Sequence, residues 1–238
     1  MKISVIIPIY NDDKMLQNIL KELSNLKEID EVIVVKAVDD FKENYILKKF
    51  LYIPYTLIIS KKGRAIQMNL GAKFAKNEIL WFLHSDSKLT NYEIDKEIKN
   101  QIENKNIKCG GLKIKFSPNS LLLSLIAYLS NLRAKIFKIC FGDQSIFITK
   151  KLFNDIKGFR EIPIMEDLQL FIDIKKNNES VNTKYFKLLN SKITSSSRRF
   201  TKNGTLKTIF KMHKLKYLYF KGTNTDSLNK IYENMKER

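Results

Sequence analysis

The 238-residue sequence has few of the residues that build covalently or metal-stabilised folds. Its two cysteines, Cys109 and Cys140, belong to no CxxC motif and no Cys/His cluster, which argues against a disulfide framework and a structural zinc site. The longest apolar stretch, 121–132, is interrupted and shorter than the ~20 residues of a membrane span. There is no GxGxxG segment after the first apolar run and no Walker A sequence, so dinucleotide oxidoreductases and P-loop NTPases are disfavoured.

The apolar run at the N-terminus, in MKISVIIPIYNDD, stops at Asn11. A secretory leader would have a longer apolar segment that ends in small residues. The run therefore predicts a buried strand, and we expect a cytoplasmic enzyme or binding protein.

The charge balance is strongly basic, with 43 Lys and Arg against 25 Asp and Glu and a net charge of +18. One interpretation is an anionic partner such as nucleic acid, nucleotide or acidic lipid. The other is a compositional bias toward Lys, Asn and Ile, because the lysines are scattered and form no basic tail or stripe. This scatter counts against a nucleic-acid partner. Only six of the 43 basic residues are Arg, so positions with Arg suggest a need for its bidentate fork.

Strands alternate with helices over the first ~90 residues, which is typical of a doubly wound α/β sheet. The apolar runs predict strands at 3–9, 31–36, 56–60, 79–84, 108–116 and 145–149. Helical spacing predicts helices at 15–23, 41–51, 63–76, 92–103, 121–138, 168–176, 206–220 and 228–235. Gly110 and Gly111 indicate a bulge or a close backbone approach. We expect one domain at 1–204 and a helical extension at 205–238 packed on it.

Polar residues follow the predicted strands, where ligands bind on open α/β sheets. They include 11–12, 36–40, 63–64 and 84–86, a carboxylate-rich set that suits a metal-bound nucleotide. Asp86 can hold a divalent cation, or it can cap the following turn. Arg64 at a helix start can bind phosphate, or it can be a solvated side chain.

Three further segments are candidates for chemistry. Glu166 and Asp167 precede a helix, where they can act as a general base or as capping residues. Asp143 and Gln144 lie before a strand and can line the same cleft. The hydroxyl-rich segment 195–199 ends in Arg198 and Arg199, and it is either an anion-binding loop or a plain surface loop.

Taken in order, the quoted segments resemble the family 2 glycosyltransferases, and more narrowly the bacterial branch associated with radical-SAM and selenium-domain genes. The segments are VIIPIYND, GRAIQMNLGAKFAKNEILWFLHSD, GDQSIF, GFREIPIMEDLQL and SSSRRF. The resemblance extends to the C-terminal YLYFKGTNTDSLNKIY and so covers nearly the whole chain.

The resemblance implies a GT-A fold and an inverting transfer of sugar from a nucleoside-diphosphate sugar to an acceptor hydroxyl. It implies Mg²⁺ or Mn²⁺ at Asp86 and His84, and a general base at Asp167 with Glu166 beside it. The donor contacts that it implies, together with those suggested by the strand ends, are Pro8, Asn11, Asp39, Asp40, Arg64, Gln67, Ser85 and Asp86.

One position departs from the family pattern. Lys36 stands where the family has an Asp that binds the base or ribose, and Asp39 or Asp40 is the expected substitute. A non-catalytic nucleotide-sugar-binding homologue, or a basic nucleic-acid-binding protein, is the alternative.

The acceptor is unknown. The helix at 121–138 and the segment TLKTIFKMHKLKYLYFK either meet a lipid-linked acceptor at the inner face of a membrane or pack on the domain.

Overall fold

The computed structural model describes residues 1–39, 46–50, 52–178 and 184–234. The strands in these ranges are β1 (Ile3–Ile9), β2 (Ile29–Ala37), β3 (Ile46–Phe50), β4 (Pro54–Ser60), β5 (Ile79–Phe82), β6 (Lys88–Leu89), β7 (Cys109–Ser117), β8 (Ile146–Thr149) and β9 (Phe186–Ser196). The helices are α1 (Asp13–Leu23), α2 (Arg64–Phe74), α3 (Ile94–Lys105), α4 (Leu121–Phe137), α5 (Lys150–Asp155), α6 (Glu166–Asn178), α7 (Arg198–Asn203), α8 (Thr205–Phe220) and α9 (Thr225–Asn234), with a 3₁₀ turn at Gly142–Gln144.

Within the described residues the strands form one sheet in the order β3-β4-β2-β1-β5-β8-β7-β9-β6. Strands β4, β2, β1 and β5 run parallel, as predicted from their continuous apolar sequences. Strand β8 is antiparallel to both β5 and β7, while β7 and β9 are parallel. The α/β class is therefore confirmed, with a parallel half followed by a mixed half.

Helices cover both faces of the sheet. Successive side chains of a strand point to opposite faces, and β1 shows this directly. Val5 packs in the core with residues of α1 and α3, whereas Ile6 packs in the core with residues of α2 and α6. Helix α2 lies so close to the strands that a Cβ at Gly71 would come within 2.5 Å of the Ile6 side chain. The two cores thus hold the carboxyl ends of β1, β2 and β5 at one edge of the sheet.

The backbones of β7 and β9 approach closely at Gly110. A Cβ there would lie 1.9 Å from the carbonyl oxygen of Lys187, so only glycine fits. The pairing register shifts between Gly111 and Lys113. The glycine pair therefore marks both a close approach and an irregularity, as predicted.

Two predicted elements are wrong. The segment 46–50 of the predicted helix 41–51 is strand β3, which pairs antiparallel with β4, and the rest of that prediction lies at 40–45 and 51, outside the described residues. The segment 195–199 is not a loop, because β9 runs to Ser196 and Arg198 begins α7. Strands β6 and β9 and helices α5 and α7 were not predicted.

The C-terminal helices build a small apolar core of their own against α6 and the segment before it. Leu215 of α8 and Leu228 of α9 are fully buried against Ile164, Met165 and Leu168. These helices were predicted from their apolar spacing. The domain boundary at 204/205 stays a prediction.

Candidate active site

The residue after β1 contacts the loop after β2. The hydroxyl of Tyr10 donates to the carboxylate of Asp39, 3.0 Å from each oxygen. The Nζ of Lys62 lies 4.2 Å from the centre of the Tyr10 ring, and its interaction with the Tyr10 hydroxyl raises the pKa of Lys62. Asn11 is exposed in a left-handed conformation, φ 56°, which Asn tolerates well. Asp39 is therefore present at this edge, while Asp40 lies outside the described residues.

Lys36, the residue that departs from the family pattern, is paired within the chain. Its Nζ lies 2.9 and 3.0 Å from the two carboxylate oxygens of Asp13 in the first turn of α1. On the neighbouring strand β1, Ile9 aligns with Lys36, and Pro8 aligns with Val35. The positive charge is thus offset locally at the end of β2.

Gln67 joins two strand ends to helix α2. Its Nε2 donates to the carbonyl oxygens of Ile9, at 2.8 Å, and of Val35, at 2.7 Å. The side chain is buried. Both amide protons are committed to these bonds, so the structure gives Gln67 a scaffolding contact at the place where a donor contact was expected.

His84, Ser85 and Asp86 follow β5 at the same edge. The Nε2 atom of His84 is buried and has no hydrogen-bond partner among the described residues. Burial and the positive charge of Arg64 lower the pKa of His84 to about 3, so the imidazole is neutral near pH 7. Ser85 is buried and Asp86 is half-buried.

Asp167 is held by backbone donors beside this histidine. Its Oδ2 accepts from the amide of Gly142 at 2.8 Å, and its Oδ1 accepts from the amide of Leu168 at 2.7 Å. A Cβ at Gly142 would lie 2.7 Å from His84 Nε2 and 3.7 Å from Asp167 Oδ2. The 3₁₀ turn therefore brings the predicted metal ligand and the predicted base to one glycine.

Glu166 is buried and paired with Arg64. Arg64 Nη1 lies 3.2 Å from Glu166 Oε1, and the side chains are 52% and 5% exposed, respectively. Burial raises the pKa of Glu166 and the adjacent Asp167 acts in the same direction, while Arg64 opposes both. Met165, just before this pair, has φ 68°, a strained value that turns the chain into α6.

Gln144 has a structural role beside the same turn. It is fully buried, and its Oε1 accepts from Arg133 Nη2 at 2.7 Å and from the Phe141 amide at 3.3 Å. Asp143 next to it is half-buried. The planar guanidinium of Arg133 lies 4.0 Å from the centre of the Phe141 ring.

Arg198 and Arg199 lie at the start of α7. Arg198 is exposed and its Nε donates to Ser196 Oγ at 3.1 Å. The side chain of Arg199 lies outside the described residues. No contact described for Arg198 joins it to Asp167 or Glu166, and the binding role of the arginine pair stays a prediction.

Sequence reasoning missed several residues that the fold brings to this site. They are Tyr10, Lys62, Arg133, Phe141 and Lys216. The scarcity of arginine was the available signal for Arg133, whereas Gly142 lies in the GDQSIF segment that was already expected to line the cleft.

Metal binding has partial support in the residues present. A neutral, unpartnered imidazole nitrogen at His84 and a carboxylate at Asp86 are suitable ligands. The described residues contain no group of three or more His, Cys, Asp or Glu side chains that could hold a metal ion. Both residue types can bind a divalent cation, and their role as metal ligands stays a prediction.

No helix among the described residues is both long and apolar enough to cross a membrane.

The mixed sheet, with polar residues gathered beyond β1, β2 and β5, is a GT-A fold. Residues 4–153 match the profile of Glycosyl transferase family 2. The chain belongs to this family. No match was found among curated proteins.

Solved structures agree on the fold. The S. aureus TarS fragment 1–349 in complex with UDP has a TM-score of 0.61 at 19% identity, covering 82% of this chain and 60% of TarS 1–349. The mannosyltransferase PcManGT from Pyrobaculum calidifontis, in complex with GDP-Man and Mn²⁺, has a TM-score of 0.63 at 12% identity, covering 91% and 61%. Glucosyl-3-phosphoglycerate synthase from Mycobacterium tuberculosis, in complex with phosphoglyceric acid, has a TM-score of 0.57 at 13% identity, covering 87% and 76%. The chain spans less than two thirds of the length of the first two.

Proposed function

We propose that this chain transfers a sugar from a nucleoside-diphosphate sugar to an acceptor hydroxyl, with inversion at the anomeric carbon. The observation that carries the proposal is the arrangement around Gly142, whose amide donates to Asp167 and where a Cβ would lie 2.7 Å from His84 Nε2. Family membership and the bound UDP and GDP-Man of the structural neighbours support the same donor class.

Asp167 acts as the general base. A carboxylate has about four lone-pair positions, and two of those on Asp167 are used by the amides of Gly142 and Leu168. These bonds fix the carboxylate plane and leave lone pairs for the acceptor hydroxyl. The hydroxyl loses its proton to Asp167 as its oxygen attacks the anomeric carbon, and the nucleoside diphosphate leaves from the opposite face.

The donor lies along the strand ends. Asn11 and Asp39 face the nucleotide, and Arg64, oriented by buried Glu166, faces the diphosphate. His84, Ser85 and Asp86 complete this side. His84 and Asp86 would hold Mg²⁺ or Mn²⁺, which would supply positive charge to the departing diphosphate.

A thermal-shift panel of UDP, GDP, CDP, ADP and dTDP, each with Mn²⁺ and with chelator, tests donor binding. A ligand at ~100 times its dissociation constant stabilises the folded state by about 2.7 kcal/mol. We expect a chelator-sensitive shift with one nucleotide, and loss of that sensitivity in Asp86→Ala. A panel without any shift would contradict the proposal.

Consumption of the sugar nucleotide tests the base. Asp167→Asn should abolish transfer and keep nucleotide binding, and Asp173→Asn, further along α6, is the matched control. Binding without turnover in the wild type would identify the non-catalytic homologue instead.

We also propose the narrower assignment to the bacterial branch associated with radical-SAM and selenium-domain genes. The support is the set GRAIQMNLGA, FLHSD and MED in one chain. We keep the proposed division into a catalytic domain at 1–204 and a helical extension at 205–238. Limited proteolysis that releases the extension intact would support this boundary.

A second proposal concerns the membrane. Helix α4 exposes an apolar stripe, because most of its exposed large side chains recur at helical spacing. They are Leu121, Leu122, Leu125, Tyr128, Leu129, Leu132 and Ile136, and Phe137 at the end of the helix is also exposed. Leu121 is 93% exposed, and Phe210 of α8 is 73% exposed. We refer to these α4 residues with Leu206, Phe210 and Tyr217 of α8 as the apolar platform.

The platform is proposed to rest on an anionic bilayer at the inner face of the cytoplasmic membrane. Lysines interleave with the apolar residues of both helices, at Lys135, Lys207, Lys211 and Lys214, which complements anionic headgroups. Vesicle flotation tests this. Leu125→Ser with Phe210→Ser should weaken binding to phosphatidylglycerol vesicles, whereas Tyr52→Ser should not. A change of oligomeric state in the double variant, without lost flotation, would assign the platform to a second copy.

A further inference from the structure

Two cationic side chains flank one aromatic ring beside the proposed base. The guanidinium of Arg133, from α4, lies 4.0 Å from the centre of the Phe141 ring, and the Nζ of Lys216, from α8, lies 5.5 Å from it. Phe141 precedes Gly142, whose amide donates to Asp167 at 2.8 Å. The ring that both cations contact therefore belongs to the residue next to the one that binds Asp167.

The contacts within the chain only partly account for these charges. The hydrogen bond of Arg133 goes to a neutral amide, Gln144 Oε1 at 2.7 Å, and its buried Nε has no partner among the described residues. Burial and repulsion by Arg133 lower the pKa of Lys216, while Asp143 and Asp167 act in the opposite direction. The repulsion between these two half-buried charges favours binding of a further anion, although Asp143 and Asp167 already offset part of it.

We infer that Arg133 and Lys216 bind a phosphate group of the acceptor, so that a hydroxyl of the same molecule reaches Asp167. This inference rests on the proposed function and adds the acceptor's chemical class. The planar fork of arginine suits a phosphate bidentately, and the lysine ammonium adds a mobile point charge. Both cations contact the ring of Phe141, the residue before Gly142, so a phosphate that they bind lies near Asp167.

The phosphate has two sources, a soluble phosphate ester or the headgroup of a lipid on the apolar platform. Calorimetric titration with glycerol 3-phosphate and with dihexanoyl phosphatidate distinguishes them, and glycerol is the uncharged control. The titrations are done with the nucleotide from the thermal-shift panel at saturation, so that the diphosphate subsite near Arg64 is occupied. Binding of both probes assigns the site to the phosphate alone, and binding of the phosphatidate only assigns it to a lipid.

Lys216→Gln and Arg133→Gln should each weaken binding of the phosphate probe by about tenfold to a hundredfold, the effect of losing one charge-assisted hydrogen bond. Lys230→Gln, an exposed position on α9, removes the same charge and should leave the affinity unchanged. Equal losses in Lys230→Gln and Lys216→Gln would reduce the effect to net charge and overturn the inference. Absence of binding by either probe would also overturn it.

The outcome remains separable from the proposed function. If nucleotide binding fails but glycerol 3-phosphate still binds in a Lys216-dependent way, the phosphate site stands and the transfer proposal falls. If nucleotide binds and both probes fail, the transfer proposal stands without this acceptor class. In a working transfer assay, Lys216→Gln should raise the acceptor KM and leave the donor KM unchanged.

Discussion

Acidification from about pH 7 to about pH 4.5 should leave His84 uncharged in the folded protein, although an ordinary histidine would gain a proton over this range. The chain has two histidines, so His213 serves as an internal comparison in one spectrum. Burial and Arg64 lower the pKa of His84 from 6.5 to about 3. His213 is more exposed, and partial burial together with Lys216 and Arg133 lowers its pKa.

The effect on stability follows from proton linkage. Between pH 6.5 and about 3 the unfolded chain binds a proton at His84 that the folded chain does not, so stability falls as the pH decreases through this window. A pH of about 4.5 lies about two pH units below the ordinary histidine pKa of 6.5, and this interval is equivalent to ~2.7 kcal/mol of lost stability. Because the residue as a whole is only half-buried, solvent screening reduces this to about 1–2 kcal/mol.

A proton NMR titration of the ring resonances measures the two pKa values directly. Urea unfolding at both pH values, in the wild type and in His84→Gln, measures the linked free energy, with His213→Gln as the control. We expect His84→Gln to lose less stability on acidification than the wild type does. A His84 resonance that titrates together with His213 would refute the assigned environment of His84 and, with it, the neutral ligand proposed at this site.

Three other substitutions give clear expectations. Gly142→Ala places a Cβ 2.7 Å from His84 Nε2, so it should cost about 1–3 kcal/mol in urea unfolding and slow sugar-nucleotide consumption. Burial and Asp167 raise the pKa of Glu166, so the folded protein loses stability as the pH rises from below 4.5 and this carboxyl ionises. In Glu166→Gln the urea midpoint should fall less over the same pH range. Gly110→Ala places a Cβ 1.9 Å from the Lys187 carbonyl and should cost more than about 3 kcal/mol, so near-wild-type unfolding would contradict the close pairing of β7 and β9.

The parallel half of the sheet was predicted well because its strands are buried on both faces and read as continuous apolar runs. The helix predicted over strand β3 is wrong because the apolar spacing of a short segment such as ILKKF fits a helix and a strand equally well. Pairing with β4 makes this segment a strand. Strand β9 was missed because polar residues alternate along it and its partner β7 lies far away in the chain.

The predicted site residues differ in how far the structure joins them. His84 and Asp167 both lie beside Gly142, and Arg64 pairs with Glu166. The fold therefore brings together residues that the motifs singled out separately. Their roles stay predictions. The contacts of Gln67 with two strand ends, and the meeting of Arg133 with Lys216, depend on how helices pack on the sheet. No local pattern encodes such packing.

The small apolar core under the C-terminal helices makes the candidate active site depend on the packing of α8 and α9. Leu215 and Leu228 pack against Met165 and Leu168, which bracket Glu166 and Asp167. An opening that releases only these helices would leave the central sheet intact and still displace the proposed base. The C-terminal helices can therefore open at a lower denaturant concentration than the sheet does. Mild denaturation should abolish turnover before the amides of β1 and β5 become exposed to hydrogen exchange.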